Sequence, residues 1–178
     1  NMQNKIFDIK NNEQFEKTAL EAFDYQINHN PVYSAYAKYI LKGKQPFNIY
    51  EIPFLPINFF KNEQIICKNL AIQKIFLSSG TKGKKSKHLI SDITIYETSY
   101  LRAFNIFYGD IKKYCILSLL PNYRENESSS LIYMIDDLIK KSGHQSSGYY
   151  LNNYEELSSI LAKLEKNNEK TILFGVSY

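Results

Sequence analysis

Cysteine is scarce in this chain of 178 residues: there are two, Cys67 and Cys115. Both sit in apolar runs, which fits a reducing cytoplasm better than a disulfide scaffold. Long apolar runs are also lacking. None approaches the roughly 18 residues of a membrane span, so no such span is expected. No charged n-region followed by an apolar h-region leads the sequence, so a cytoplasmic chain is expected rather than one secreted by a signal peptide. There is no internal repeat and no low-complexity segment. Charge of one sign does not dominate, with 22 Lys and Arg against 18 Asp and Glu and a net charge of +4. No basic stripe runs along a helix, so nucleic acid is not an expected partner.

Hydrophobic residues are plentiful. They make up 44% of the chain, and aromatics make up 15%. That composition supports a buried core and excludes intrinsic disorder. The length suits one domain or part of a larger one.

Apolar spacing and capping residues divide the chain. Asn11 or Asn12 can cap a first helix, with Phe15, Ala19, Ala22, Phe23 and Ile27 on one face. Asn30-Pro31 ends it and starts a second, which Gly43 stops. Residues 1–45 thus read as a helical N-terminal segment and 46–178 as an α/β part. Pro46, Pro53 and Pro56 then forbid a continuous helix or a central strand. Ile52-Pro53-Phe54-Leu55-Pro56 becomes a rigid apolar connection that packs the helices onto the sheet. Ile65–Cys67 and Lys74–Leu77 read as short strands. Ser91 caps a helix with Ile93, Tyr96, Tyr100, Phe104 and Phe107 on its face. Tyr114–Leu120 is a continuous apolar run, which marks a strand covered on both faces. Ser129 or Ser130 caps a helix burying Leu131, Met134, Ile135, Leu138 and Ile139. A short strand at 149–151, a helix at 154–167 and a strand at 171–176 follow. This alternation predicts an α/β fold: a largely parallel sheet with helices on both faces, preceded by the helical N-terminal segment.

Ligands of such sheets bind beyond the carboxyl ends of strands. Two loops qualify, Ser78–His88 and Pro121–Ser130, and the second leads into a helix N-terminus. The first reads Leu-Ser-Ser-Gly-Thr-Lys-Gly-Lys-Lys-Ser-Lys-His over 77–88. Gly80 and Gly83 allow sharp turns and close backbone approach. Hydroxyls, backbone N–H groups and lysines in one short loop suit the anionic oxygens of a polyphosphate. The loop is not a Walker A motif, because Ser78 stands where its first Gly belongs and Lys85 where its Ser or Thr belongs. The G-x-G-x-x-G dinucleotide fingerprint is absent as well.

The pattern Ser78-Ser79-Gly80-Thr81-x-Gly83-x-x-Ser86-x-His88 resembles the phosphate loop of the acyl-protein synthetase (LuxE-like) family. That family is a branch of the adenylate-forming enzymes near the phenylacetate–CoA ligases. The Pro-Phe-Leu-Pro segment, Leu-Leu-Pro-Asn-Tyr at 119–123 and Ser-Ser-Leu-x-Tyr-Met at 129–134 resemble it too. The resemblance implies ATP-dependent activation of a long-chain fatty acid as an acyl-adenylate, then transfer to a protein thiol and on to a reductase partner. It implies ATP and Mg²⁺, with loop donors offsetting charge on the leaving pyrophosphate. By position, Ser78, Ser79, Gly80, Thr81, Lys82 and Gly83 hold phosphates, and Ser86 and His88 shape or complete the loop. His88 either contacts phosphate or fixes the loop as a neutral imidazole. Lys82 stands where many relatives have Thr, and so adds charge or faces solvent. The family's adenine-binding motifs, hinge, C-terminal lysine and acyl-accepting cysteine have no counterpart here. The chain is therefore expected to be an N-terminal portion, inactive alone, with Cys67 and Cys115 as packing residues. The alternatives are the same portion of an acyl–CoA ligase, and a non-catalytic interaction domain of the same fold.

Overall fold

A computed structural model of the chain describes residues 5–79, 83–122 and 125–176. The protein divides into two compact units, Asn1–Ile95 and Tyr96–Tyr178.

The first unit opens on a capped helix pair. Helix α1 spans Asn12–His29, and the Asn11 side chain accepts from the Gln14 N–H. Helix α2 spans Pro31–Leu41; the Asn30 side chain accepts from the Tyr33 N–H, with Pro31 at the first helical position. Each cap satisfies a donor that the helix start leaves open. The pair meets over Phe23, Ile27 and Ala37, with Tyr33, Leu41 and Ile52 packed around them. The buried stripe is narrower than apolar spacing predicts, because Phe15 and Ile40 remain exposed. The α2 stop begins one residue before Gly43: Lys42 takes the left-handed cap at φ +51° and Gly43 follows at +83°.

The expected strand at 65–67 does not form. That segment lies against α1 instead, where Lys68 N–H donates to His29 O at 2.8 Å and Cys67 lies beside Gln26. The Pro-rich connection contains a 3₁₀ turn at Ile49–Glu51, and a single-turn helix α3 follows at Phe59–Asn62.

Strand β1, Lys74–Leu77, pairs with β2, Lys87–Ile90, in an antiparallel hairpin. This corrects the expectation that β1 shares one parallel sheet with the later strands. A tight loop can return the chain beside itself only antiparallel, whereas a parallel neighbour needs a long crossover. Helix α4, Ile93–Tyr108, follows β2. Its start is capped by Asp92 rather than Ser91, with Asp92 Oδ1 accepting from Thr94 N–H at 3.0 Å and Gln73 Oε1 from Ile93 N–H at 2.9 Å.

The second unit carries a three-stranded parallel sheet in the order β4-β3-β5. Strand β3 is Cys115–Ser118, β4 is Gly148–Tyr149 and β5 is Thr171–Phe174. Between them run α5, Ser130–Ser142, and α6, Tyr154–Lys166. The buried run of β3 alternates between the faces. Ile116 packs with Tyr100, Phe104 and Leu138, while Cys115 and Leu117 pack with Leu157 and Leu164. The small sheet is thus covered by helices on both faces. Each fully buried Ile or Leu contributes about 1.5–3 kcal/mol over an exposed one. On α5, Ser129 is the cap, and Ile132, Ile135 and Leu138 are buried. Leu131 is exposed, so the buried face begins one residue later than expected. Phe107 of α4 is exposed as well.

Candidate functional site

The candidate loop is the turn of the β1–β2 hairpin. The cross-strand pairs are Lys74–Ile90, Ile75–Leu89, Phe76–His88 and Leu77–Lys87. Beyond Leu77 the ladder is closed twice by serines. Ser78 N–H donates to Ser86 O at 3.0 Å, and the Ser78 hydroxyl accepts from Ser86 N–H at 3.0 Å. Ser78 and Ser86 therefore form the neck of the loop, and Ser79 is exposed just beyond it. Gly83 stands at φ +87° with open space around a Cβ added to it. Glycine is thus favoured there by backbone conformation rather than by crowding. Gly80, Thr81 and Lys82 lie outside the described residues.

The electrostatics of this turn favour an anion. Lys84, Lys85 and Lys87 are exposed, and among the described residues no carboxylate pairs with any of them. Lys84 Nζ lies 3.5 Å from Asn62 Oδ1, a long contact from the ammonium to an uncharged amide. No Asp or Glu occurs between Ser78 and His88. The turn can therefore supply N–H, hydroxyl and ammonium donors to phosphate oxygens, but no carboxylate to a cation. Among the described residues no group of three or more His, Cys, Asp or Glu comes together as a metal site.

His88 lies on β2, not in the loop. Its ring stands edge-on to Phe60, with centroids 6.0 Å apart and planes at 87°. His88 keeps an exposed edge, and desolvation of the part of the ring set against its neighbours lowers its pKa from the ordinary 6.5, which favours the neutral ring. His88 and Leu89 line a cavity of about 330 Å³ within the first unit, together with Gln26, Asn30, Leu55 and Cys67. Sequence reasoning missed this cavity, since its walls come from five separated segments. The Pro-rich connection contributes to it through Leu55 alone among its apolar residues at 52–57.

Both cysteines are free and buried, and burial raises both thiols. Cys67 Sγ lies 3.7 Å from Gln26 Oε1. Neither is primed as a thiolate, in keeping with packing roles.

The second candidate loop leaves β3 in the other unit and runs to the Ser129 cap of α5, where the Ser129 hydroxyl accepts from Ile132 N–H at 3.3 Å. Tyr123 and Arg124 of that loop lie outside the described residues. Just before the loop, the Ser118 hydroxyl is fully buried and has no hydrogen-bond partner among the described residues.

No family model, curated protein or solved structure matches the chain. Among the described residues no helix is long and apolar enough to cross a membrane.

Proposed function

We propose that the β1–β2 hairpin turn holds the β- and γ-phosphates of ATP, and that the chain takes part in activating a long-chain fatty acid as its acyl-adenylate. The observation that carries this reading is the serine neck. Ser78 and Ser86 bond to each other through backbone and side chain, so the turn between them is closed at its base. A closed turn keeps its donors together before a ligand arrives, which reduces the ordering cost of binding. In this reading Ser79, Gly80, Thr81, Lys82 and Gly83 meet phosphate oxygens, while Lys84, Lys85 and Lys87 provide the positive field. Ser78 and Ser86 hold the turn. His88 acts beneath it as a neutral packing group against Phe60.

The chemistry follows from charge. The fatty-acid carboxylate attacks the α-phosphorus, the bond to the bridging oxygen breaks, and pyrophosphate leaves with its electron pair. Donors aimed at the leaving phosphates stabilise that charge. Mg²⁺ enters bound to ATP and adds to the same stabilisation. A protein thiol, losing its proton, then attacks the acyl carbon, the bond to the phosphate oxygen breaks and AMP leaves; the thioester passes on to a reductase partner in the cytoplasm. Groups that hold adenine and the acyl carboxylate are supplied by residues outside this chain. In-line positioning provides a large share of such catalysis, so the chain alone is inactive.

ATP–pyrophosphate exchange with a panel of fatty acids tests the reading, run on this chain and on the longest natural protein containing it. Exchange by the longer protein that falls about tenfold or more in Thr81→Ala is the expected result, since a lost hydrogen bond to a charged group costs about 1.5–3 kcal/mol. Exchange by neither protein with any acid contradicts it and favours a non-catalytic interaction domain.

A further inference from the structure

The Pro-rich connection presents its largest apolar side chains to solvent. Phe47 is 90% exposed, Tyr50 89%, Phe54 83% and Ile57 71%. These exposures are built in by the segment's own anchoring. Ile52 packs against the helix pair, Pro53 is buried, and the Tyr33 hydroxyl donates to Pro53 O at 2.8 Å. Asn48 caps the 3₁₀ turn by accepting from Tyr50 N–H at 2.9 Å. With these points fixed, the rings of Phe47, Tyr50 and Phe54 stay outside. Single exposed apolar residues are ordinary; here four of them, three aromatic, fall between positions 47 and 57.

The charge around them selects the partner. Over residues 31–63 the lysines are Lys38, Lys42, Lys44 and Lys61, and the acids are Glu51 and the exposed Glu63, so the segment keeps a positive balance. Glu51 is occupied inside the turn, where its carboxylate accepts from Phe47 N–H at 2.9 Å and from the Asn48 amide at 3.3 Å. Lys42 and Lys44 stand exposed just before the ring-bearing segment and Lys61 just after it, and among the described residues no carboxylate pairs with any of them. We propose that residues 42–61 form a peripheral docking surface for an anionic lipid bilayer, with Phe47, Tyr50, Phe54 and Ile57 entering the headgroup region and the flanking lysines meeting lipid phosphates. Aromatic side chains favour that interface, and juxtaposed lysines add attraction to an anionic leaflet. A purely apolar protein socket matches the rings but leaves these lysines without counter-charges, whereas an anionic membrane matches both. The inference does not depend on the phosphate-loop reading, since it uses none of residues 78–88.

The chain contains no tryptophan, so Tyr50→Trp and Phe54→Trp each introduce a single reporter at an exposed position. Both variants of the full chain are mixed with vesicles of phosphatidylcholine and phosphatidylglycerol in equal parts, and with phosphatidylcholine alone. The expected result is a blue shift of emission and co-sedimentation with the anionic vesicles, weakened by high salt. In Lys42→Glu/Lys44→Glu binding falls about tenfold or more, because each lysine near the surface contributes about 1 kcal/mol. Phe47→Ala/Tyr50→Ala lowers binding without altering the circular dichroism spectrum. Unshifted emission with the anionic vesicles overturns the proposal, as does equal binding to neutral vesicles. Emission already blue in buffer, with a dimer in sedimentation velocity that vesicles leave intact, assigns the surface to a second copy instead and overturns it too.

Discussion

Ser78 and Ser86 bond to each other twice, backbone N–H to carbonyl and backbone N–H to hydroxyl, each at 3.0 Å. One hydroxyl thus continues a ladder that the β-strand pairing ends at Leu77 and Lys87. Ser78→Ala removes the second bond and leaves the first. Ser78 is exposed and Ser86 half-buried, so the stability loss is expected at or below about 0.5–1.5 kcal/mol. Pyrophosphate affinity falls with it, because the turn loses its preset closure. Urea denaturation and isothermal titration with pyrophosphate measure the two effects. Unchanged affinity refutes the role given to the neck.

Gly83 carries a second prediction. Its φ of +87° lies in the left-handed region, so Gly83→Ala imposes backbone strain of about 1–2 kcal/mol on the turn. Gly83→Asn costs less, because Asn visits that region more readily. Equal stability of the two variants in urea contradicts this.

The pH dependence follows from His88 and Glu169. Burial holds the His88 pKa below its ordinary 6.5. Between the folded and unfolded pKa values the unfolded chain binds more protons, so stability decreases as pH falls below about 6.5. Glu169 is held below its ordinary 4.5, first by a hydrogen bond from Asn167 and then by His144, whose Nε2 lies 2.7 Å from Glu169 Oε2. Its contribution is present above pH 4.5 and is lost as pH falls through its lower folded value. Denaturation from pH 8 to 5 is expected to show the His88 slope, and His88→Gln to flatten it. An unaltered slope in that variant assigns the effect elsewhere.

These features were unevenly legible in the sequence. The Asn30-Pro31 junction and the buried run of β3 were readable because local chemistry alone decides them, whereas the cap of α5 was narrowed only to Ser129 or Ser130. Strand β2 was not, since Lys87 and His88 give no apolar alternation and the pairing comes from the turn that returns the chain. His88 is placed by a contact with Phe60, 28 positions earlier in the chain, so no local pattern could show it. On α5 the choice of Ile132 over Leu131 depends on how the helix meets β3. The loop motif was legible as chemistry, and its closure by Ser78 and Ser86 became clear only from the pairing.

Ser118 provides a test of the second unit. Its hydroxyl is buried without a partner, which costs free energy. Ser118→Ala is expected to leave thermal stability unchanged or raise it. By contrast Ile116→Ala, at a fully buried site on the same strand, is expected to cost about 2–5 kcal/mol. A clear loss in Ser118→Ala reveals a partner for that hydroxyl.

The most direct measurement is a pyrophosphate titration of the ¹⁵N-labelled chain followed by amide chemical shifts. Saturable shifts at Ser78, Ser79 and Gly83–His88 are predicted, with adenosine moving none of them and high salt weakening the effect. Unmoved amides throughout this turn at millimolar pyrophosphate, or shifts centred on another part of the chain, contradict a phosphate-holding hairpin.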